Sequence, residues 1–518
     1  MTAAYTNPIA NHEPFARSSA KSREMNEHLS SAGTLRAEHS DVERWLAVEG
    51  RELMRLMFQE HLDLRAAAEK PVRVVDEKGL ERTDSRSSVR GLETLFGGTD
   101  VCRLIYKAPG CDALAPLDAT LNLSSDRYSH GLRETVAKEI ARASFDEVVE
   151  LIGDYSGAQI AKRQVEQLAV RGAHDFDAFY ELYKREHQST TDLLIISTDG
   201  KGVVMRHEDL RDATRLAAEQ KTNKLETRLS PGEKTDRKRM AQVSTVYSIE
   251  PWHRTAADVL HTLRDENTES KRPRPTDKRV WASVEKHPRE VIRQAFEEAL
   301  RRDPDRLRRW VVLVDGEPRQ LKAVKAEAKR AGVKVTIILD IVHVIEYLWM
   351  AGRALFGSST PQAEEWVGHR LLALLTGQSG GDVARAIRGW ADSRADHLDT
   401  AARKAIEKAC RYLANRTRTR LMKYSDALRD GLPIATGVIE GACRYLVKDR
   451  MDRTGACWSL KGAEAVLRLR ALRASGDFDE YWHFHLAREK ERNHASRYAH
   501  AEIPDPLPVA NRHLRRIK

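Results

Sequence analysis

Residues 333–349 read VKVTIILDIVHVIEYLW. A run of β-branched and leucine residues stops at Asp340, and apolar residues then recur at three- and four-residue spacing. This pattern predicts a buried strand passing through an acid into a helix, a unit of α/β architecture. His343 follows Asp340 by about one helical turn. In α/β sheets ligands gather outside the carboxyl ends of the strands, so Asp340 reads as a metal ligand, as the neighbour of one, or as a plain turn residue.

Similar runs lie upstream. DLLIIST (192–198) leads into Asp199, GVVMR (202–206) follows a tight turn, and VSTVYSI (243–249) comes later. The 30-residue stretch VWASVEKHPREVIRQAFEEALRRDPDRLRR (280–309) reads as a long helical region entering WVVLVDG (310–316), and QLKAVKAEAKRAG (320–332) is helical again. The expected order is strand, strand, strand, helix, strand, helix, strand, helix. Asp199, Asp315 and Asp340 then each end an apolar run. Glu440 opens a late helix after Ala435-Thr436-Gly437, with Arg444 and Lys448 one and two turns along. Carboxylates converging from separate elements suit a hard cation such as Mg²⁺. Two such ions about 3.5–4 Å apart can hold the attacking and leaving oxygens of an in-line phosphoryl displacement. Each acid alone is more simply a turn residue; the set together raises the metal reading to parity.

The first third has a different texture. Residues 1–40 are polar without an apolar period and read as a flexible arm. Residues 43–68 form an amphipathic helix pattern, and 89–110 read as a hairpin around Gly97-Gly98. SFDEVVELIGDYSGAQIAKRQVEQLAVRG (144–172) holds two helical patterns split at 153–156, with Ser156 placed to cap the second. That is the shape of a helix-turn-helix at about 145–171, which would aim Ala158, Gln159, Lys162 and Arg163 at a major groove. An ordinary helical hairpin packed in a core gives the same pattern.

The chain of 518 residues is long enough for two or three domains. Charged residues make up 32% and the net charge is +10, a balance that favours a polyanionic partner. The five cysteines include no Cys-x-x-Cys pair, so a zinc ribbon is excluded and reduced, buried thiols are expected. No stretch approaches the roughly 18 apolar residues of a membrane span, and the N-terminus has no apolar signal core, so a cytoplasmic location is expected. Cations crowd residues 221–241, which could lie along phosphates. His483 and His485 stand two apart, on different helix faces, and read as surface or core rather than metal ligands.

The ordered motifs STDG (197–200), VVLVDGE (311–317), ILDIVHVIEYLW (338–349) and GVIEGACRYLVKDR (437–450) resemble those of bacterial insertion-sequence DDE transposases of the ISKra group. PLDATLNLSSDRYSHGLRETVA (116–137), GEKTDRKRMAQVSTVY (232–247) and Trp458 with its following helix extend the likeness over about residues 90–475. The resemblance implies an α/β ribonuclease H-like catalytic core with an all-helical insertion, preceded by a mainly helical N-terminal DNA-binding region. The boundaries it implies are a 1–40 arm, a 41–185 DNA-binding region, core residues 190–350, a 351–430 insertion, core residues 431–475 with the Glu-bearing helix, and a basic 476–518 tail. It implies that Asp199, Asp315 and Glu440 are the catalytic and metal-holding residues, with two Mg²⁺ ions for which Mn²⁺ can substitute. Asp340 and His343, 25 residues beyond Asp315, fit an auxiliary Asp-x-x-His motif. Were GVVMR no strand, WVVLV would become the third strand and Asp340 the second acid. Arg444, Lys448, Arg450 and Arg453 border Glu440 and, with Gln159, Lys162 and Arg163, are expected to touch DNA. Expected partners are the element's inverted repeats, target DNA and a second copy of the chain in a homodimer or larger synaptic assembly, with no membrane. A nuclease without strand transfer and a helix-turn-helix regulator are the rival readings.

Overall fold

The computed structural model describes residues 13–183, 191–220, 237–264, 272–358, 360–453 and 455–508. They form two compact units. One combines the residues up to Glu181 with those from Asp477 onward, and the other spans Leu182–Gly476.

In the first unit a helix, Ala16–Ser30, stands where a loose arm is expected. Apart from buried Met25 and a ring stack, its hold is polar, which fits the lack of an apolar period. The Glu60 carboxylate accepts the backbone N–H groups of Arg17 and Ser18 at 2.8 and 3.1 Å, Arg17 pairs with Asp63 at 2.6 Å, and His28 stacks on Trp45. An acid at a helix N-terminus also meets the positive end of its dipole. The amphipathic helix follows as His39–Ala68, and the hairpin forms from β1 (Asp84–Thr94) and β2 (Gly97–Lys107). Its turn is Leu95-Phe96, since Thr94 pairs with Gly97.

The paired helices are Phe145–Ser156 and Lys162–Gly172. Their break differs from the expected one. Residues 153–156 lie inside the first helix, which ends on Gly157 in the left-handed conformation, φ 70°. Ser156 does not cap the second helix. Its hydroxyl donates to Ile152 O and accepts from Ala158 N–H. The segment expected as a tail begins with a helix, Phe478–Asn493, that carries buried Tyr481, Trp482 and His485. His485 Nδ1 lies 2.7 Å from Asp175, a core role rather than a metal-ligand one.

In the second unit the described residues form one mixed sheet. Its strands are β3 (Leu193–Val204), β4 (Lys238–Ile249), β5 (Thr276–Ser283), β6 (Trp310–Val314) and β7 (Val335–Leu339), in the order β5-β4-β3-β6-β7. β3, β4 and β5 are antiparallel, whereas β6 and β7 run parallel to β3. Every residue of β6 is fully buried. At about 1.5–3 kcal/mol for each buried Val or Leu, this strand anchors the core.

Two strand expectations are corrected. GVVMR is no separate strand, because β3 continues through Asp199 to Val204. Residues 280–283, expected as helix, belong to β5, and the helix starts only at Pro288 (Pro288–Arg302). The two changes offset each other, so WVVLV remains fourth in the sheet. Both edge strands are covered at their carboxyl ends. On β5, Ser283 Oγ and the N–H groups of Val284 and Glu285 donate to Glu464 of the helix Leu460–Ser475. On β7, Leu339 N–H donates to Leu421 O, and Tyr424 Oη donates to Leu339 O. After β7 come five helices, Ile341–Phe356, Pro361–Leu375, Gly380–Asp392, Thr400–Arg418 and Tyr424–Arg429, matching the helical reading of 341–430 with its break near the Gly-rich stretch.

Candidate active site

The sheet register gathers the acids. Ser197 pairs with Leu313, and Leu313 pairs with Ile338. Two residues further on, Asp199, Asp315 and Asp340 therefore stand level on three adjacent strands. β6 and β7 have ended there, while β3 runs on beside β4 alone. The row lies at the carboxyl ends of the parallel strands and at the switch from antiparallel to parallel pairing, where open α/β sheets bind ligands. Asp199 is thus mid-strand rather than strand-terminal, paired with Val243.

The three carboxylates differ in what they already hold. Asp340 is fully buried and caps the helix Ile341–Phe356: its Oδ1 accepts from Val342 N–H at 2.9 Å and its Oδ2 accepts from the Thr436 hydroxyl. Its own N–H donates to Val314 O. Both oxygens are therefore committed to protein donors. Asp315 is half-buried and, among the described residues, accepts the Glu317 N–H alone, at 2.9 Å on Oδ1. Asp199, also half-buried, takes the Gly200 N–H at 2.6 Å on Oδ1 and the Cys443 thiol at 3.3 Å on Oδ2. Its backbone is fixed from the side, where Gln242 Nε2 donates to Asp199 O and Gln320 Nε2 to Thr198 O.

Glu440 arrives from the helix Gly437–Ala442; the residue as a whole is exposed, but its carboxyl is partly shielded from water. The next six residues, Cys443–Lys448, form a π-helix. Glu440, Arg444 and Lys448 are all exposed, while Cys443 is buried and donates its thiol to Asp199. π-Turns inside helices recur at functional sites.

Electrostatics tie these groups together. Burial lifts the Asp315 carboxyl above its ordinary range; the Asp199 charge adds to this, while the Glu317 N–H and His343 oppose it. Burial likewise lifts Glu440, helped by Asp340 and Asp199 and opposed by His343. His343 is partly buried, which disfavours its charge. Glu346, 3.3 Å from Nδ1, together with Asp340 and Asp315, outweighs burial and raises it overall. Burial, with Asp199 adjacent, pushes the Cys443 thiol up, so it faces the acid as a neutral S–H donor.

Among the described residues, no three Asp, Glu, His or Cys side chains converge at ligand spacing. Asp199, Asp315 and Glu440 are nonetheless an all-oxygen donor set of the kind hard divalent cations take. Burial and the Asp199 charge raise both Asp315 and Glu440, with Asp340 adding at Glu440, and a bound cation would offset these charges.

The other expected DNA contacts divide. Arg444, Lys448 and Arg453 are exposed. Arg450 is not available, because it is 3% exposed and its guanidinium lies over the Trp458 ring at 4.7 Å. Gln159 sits in the turn rather than on the second helix. Lys162 and Arg163 are exposed in that helix's first turn, with Lys162 paired to Asp146 at 2.6 Å. Ala158 is buried, so it cannot face a groove. The cation run 221–236 lies outside the described residues; its last members enter β4. Sequence reading missed Thr436 and Cys443, whose partners are 96 and 244 residues away. A lone Thr and a lone Cys carry no local signal of such contacts. No protein-family model and no curated protein matches the sequence.

Proposed function

We propose that the protein is a DNA transposase of an insertion sequence, with a ribonuclease H-like core that cleaves strands at the element ends and joins them to target DNA. The observation that carries this reading is the level row Asp199–Asp315–Asp340 met by Glu440, on a sheet whose first three strands are antiparallel and whose last two run parallel to the first. The acid Asp315 follows the fourth strand of that sheet, which favours it over Asp340 as the second metal-holding residue.

Asp199, Asp315 and Glu440 would hold Mg²⁺, which when bound activates water and neutralises charge at the scissile phosphate. Asp340 fixes the start of the helix that carries His343. A charged His343 can donate to a phosphate oxygen, and Arg444 and Lys448 meet flanking phosphates. Water hydrolyses one strand at the element end, and the freed 3′-hydroxyl then displaces a 3′-oxygen in target DNA. One phosphodiester breaks as another forms, so the joining step needs no outside energy source. The first unit would bind the terminal inverted repeats, two ends being held by a dimer or larger assembly on the bacterial nucleoid. No described helix is long and apolar enough to cross a membrane.

The test is metal-dependent 3′-strand nicking and joining on DNA carrying the element ends. Asp199→Ala, Asp315→Ala and Glu440→Ala are each expected to reduce nicking to background while DNA binding survives. Nicking that persists in all three rejects the acidic centre. Nicking without joining by the unaltered protein leaves a nuclease.

A further inference from the structure

The helical segment between His343 and Glu440 has no role in the chemistry above, yet it carries a second feature. The helices Ile341–Phe356 and Thr400–Arg418 flank an open surface cavity of about 370 Å³ lined by Tyr347, Lys404, Glu407, Lys408, Arg411, Tyr412 and Asn415. Lys404, Lys408, Arg411 and Asn415 recur at helical spacing on one exposed face, with Lys404 and Lys408 about 6 Å apart along the axis. The single acid there, Glu407, is engaged by Arg388 at 3.3 Å. The Tyr347 and Tyr412 rings stack at 3.8 Å and 9°.

This cavity is joined to the acidic row. The Arg416 guanidinium lies over Tyr412, 5.3 Å from its centroid, and packs directly on Gly316, the residue after Asp315. A Cβ at Gly316 would sit 3.0 Å from Arg416 Cζ. Burial pushes the Tyr412 hydroxyl up to about 12, with Arg416 opposing and Tyr347 and, least, Asp315 adding. Cations spaced along a helix suit phosphates, and an aromatic stack suits a base freed from its pair. Together they form the electrostatic and stacking combination that takes single strands.

We infer that this cavity binds a single-stranded DNA end leaving the acidic centre, with its phosphates on Lys404, Lys408 and Arg411 and one base extending the Tyr347–Tyr412 stack. The inference rests on the transposase reading and deepens it by assigning the helical insertion a substrate.

The test reads binding alone, without divalent metal, by fluorescence anisotropy of the full chain. The probes are a labelled oligothymidylate, an abasic strand of equal length and a duplex. Wild type is expected to prefer the oligothymidylate over the abasic strand. A Lys404→Ala/Lys408→Ala/Arg411→Ala variant should bind the oligothymidylate at least about tenfold more weakly, and its log–log salt slope should fall by about 2, since each single-strand phosphate contact contributes about 0.7. Tyr347→Leu should erase the preference for bases while keeping affinity for the abasic strand. Thermal unfolding of each variant checks folding, and the wild-type comparison between strands stands without any variant. Equal wild-type binding to both strands, or a triple variant that binds like wild type, overturns the inference. So does a triple variant that loses only duplex binding. If strand binding behaves as expected but the unaltered protein never nicks DNA, the catalytic reading alone fails.

Discussion

At the scale of single residues, Asp315 and Asp340 occupy the same sheet row with different freedom. Asp340 is sealed by the Val342 N–H and the Thr436 hydroxyl, while Asp315 keeps one oxygen without a described protein donor. Asp340→Asn retains an oxygen acceptor for the helix cap and should keep substantial strand cleavage. Asp315→Asn should lose cleavage. The reverse result in a nicking assay would make Asp340 the second metal-holding acid. Thr436→Val leaves a buried carboxylate oxygen without its donor, so we expect a stability loss of about 1–3 kcal/mol in denaturant unfolding. An unchanged midpoint would show that this hydroxyl contributes nothing. The acids were legible in the sequence because each follows an apolar run, a local signal. Thr436 and Cys443 were not, because only the folded chain brings them to Asp340 and Asp199. Arg450 misled for the same reason: its charge reads as a surface contact until Trp458 is seen beneath it.

At the scale of elements, β5 shows where periodicity fails. Val280, Trp281, Ala282 and Val284 run into the helical period with no turn signal before Pro288, so strand and helix blend in the sequence. Tertiary pairing decides, since Val280 pairs with Thr245 and Trp281 with Ser244. Glu69, just past the helix His39–Ala68, gives an element-scale prediction. Its Oε2 accepts the Leu104 N–H of β2 at 2.8 Å, which links helix to hairpin. Burial raises this carboxyl from 4.5 to about 7, with Asp118 adding and the Leu104 N–H and Arg103 opposing. The folded chain therefore holds the proton more tightly than the unfolded chain. That stability is fully present below the unfolded value, falls as pH rises, and levels off beyond about 7. Glu69→Gln keeps an acceptor without the charge. Its Tm should exceed that of wild type at about pH 8 and approach it at about pH 5. A difference that does not change with pH would mean that Glu69 titrates as an ordinary surface acid.

At the scale of the whole molecule, the first unit is discontinuous in sequence. The helix Phe478–Asn493 supplies the buried partners of residues more than 300 positions earlier. Glu489 pairs with Arg133 at 2.5 Å, His485 with Asp175, and Tyr481 Oη donates to Gly172 O. No periodicity could reveal this, because the partners lie on either side of an entire second unit. Deleting residues 477–518 removes Glu489 from Arg133 and both His485 and Arg492 from Asp175, together with the buried Tyr481 and Trp482, a loss of at least about 3–5 kcal/mol, the cost of one broken buried pair. Limited proteolysis should then cut within residues 13–181 sooner than within 182–476. A truncated chain that resists cleavage in its first 181 residues would contradict this division.

This arrangement sets a timetable for synthesis. Chains usually fold from the amino end as they emerge, at about 5–20 residues per second. Here the first-made 181 residues lack their closing helix until about 300 more have been added, a delay of about 15–60 s. The sheet unit, though translated later, has all its strands and helices before that helix exists. The interior unit is thus the first to have its full complement of chain, and the unit holding the amino terminus is the last, so a ribosome that stalls short of residue 478 releases a sheet without a finished partner.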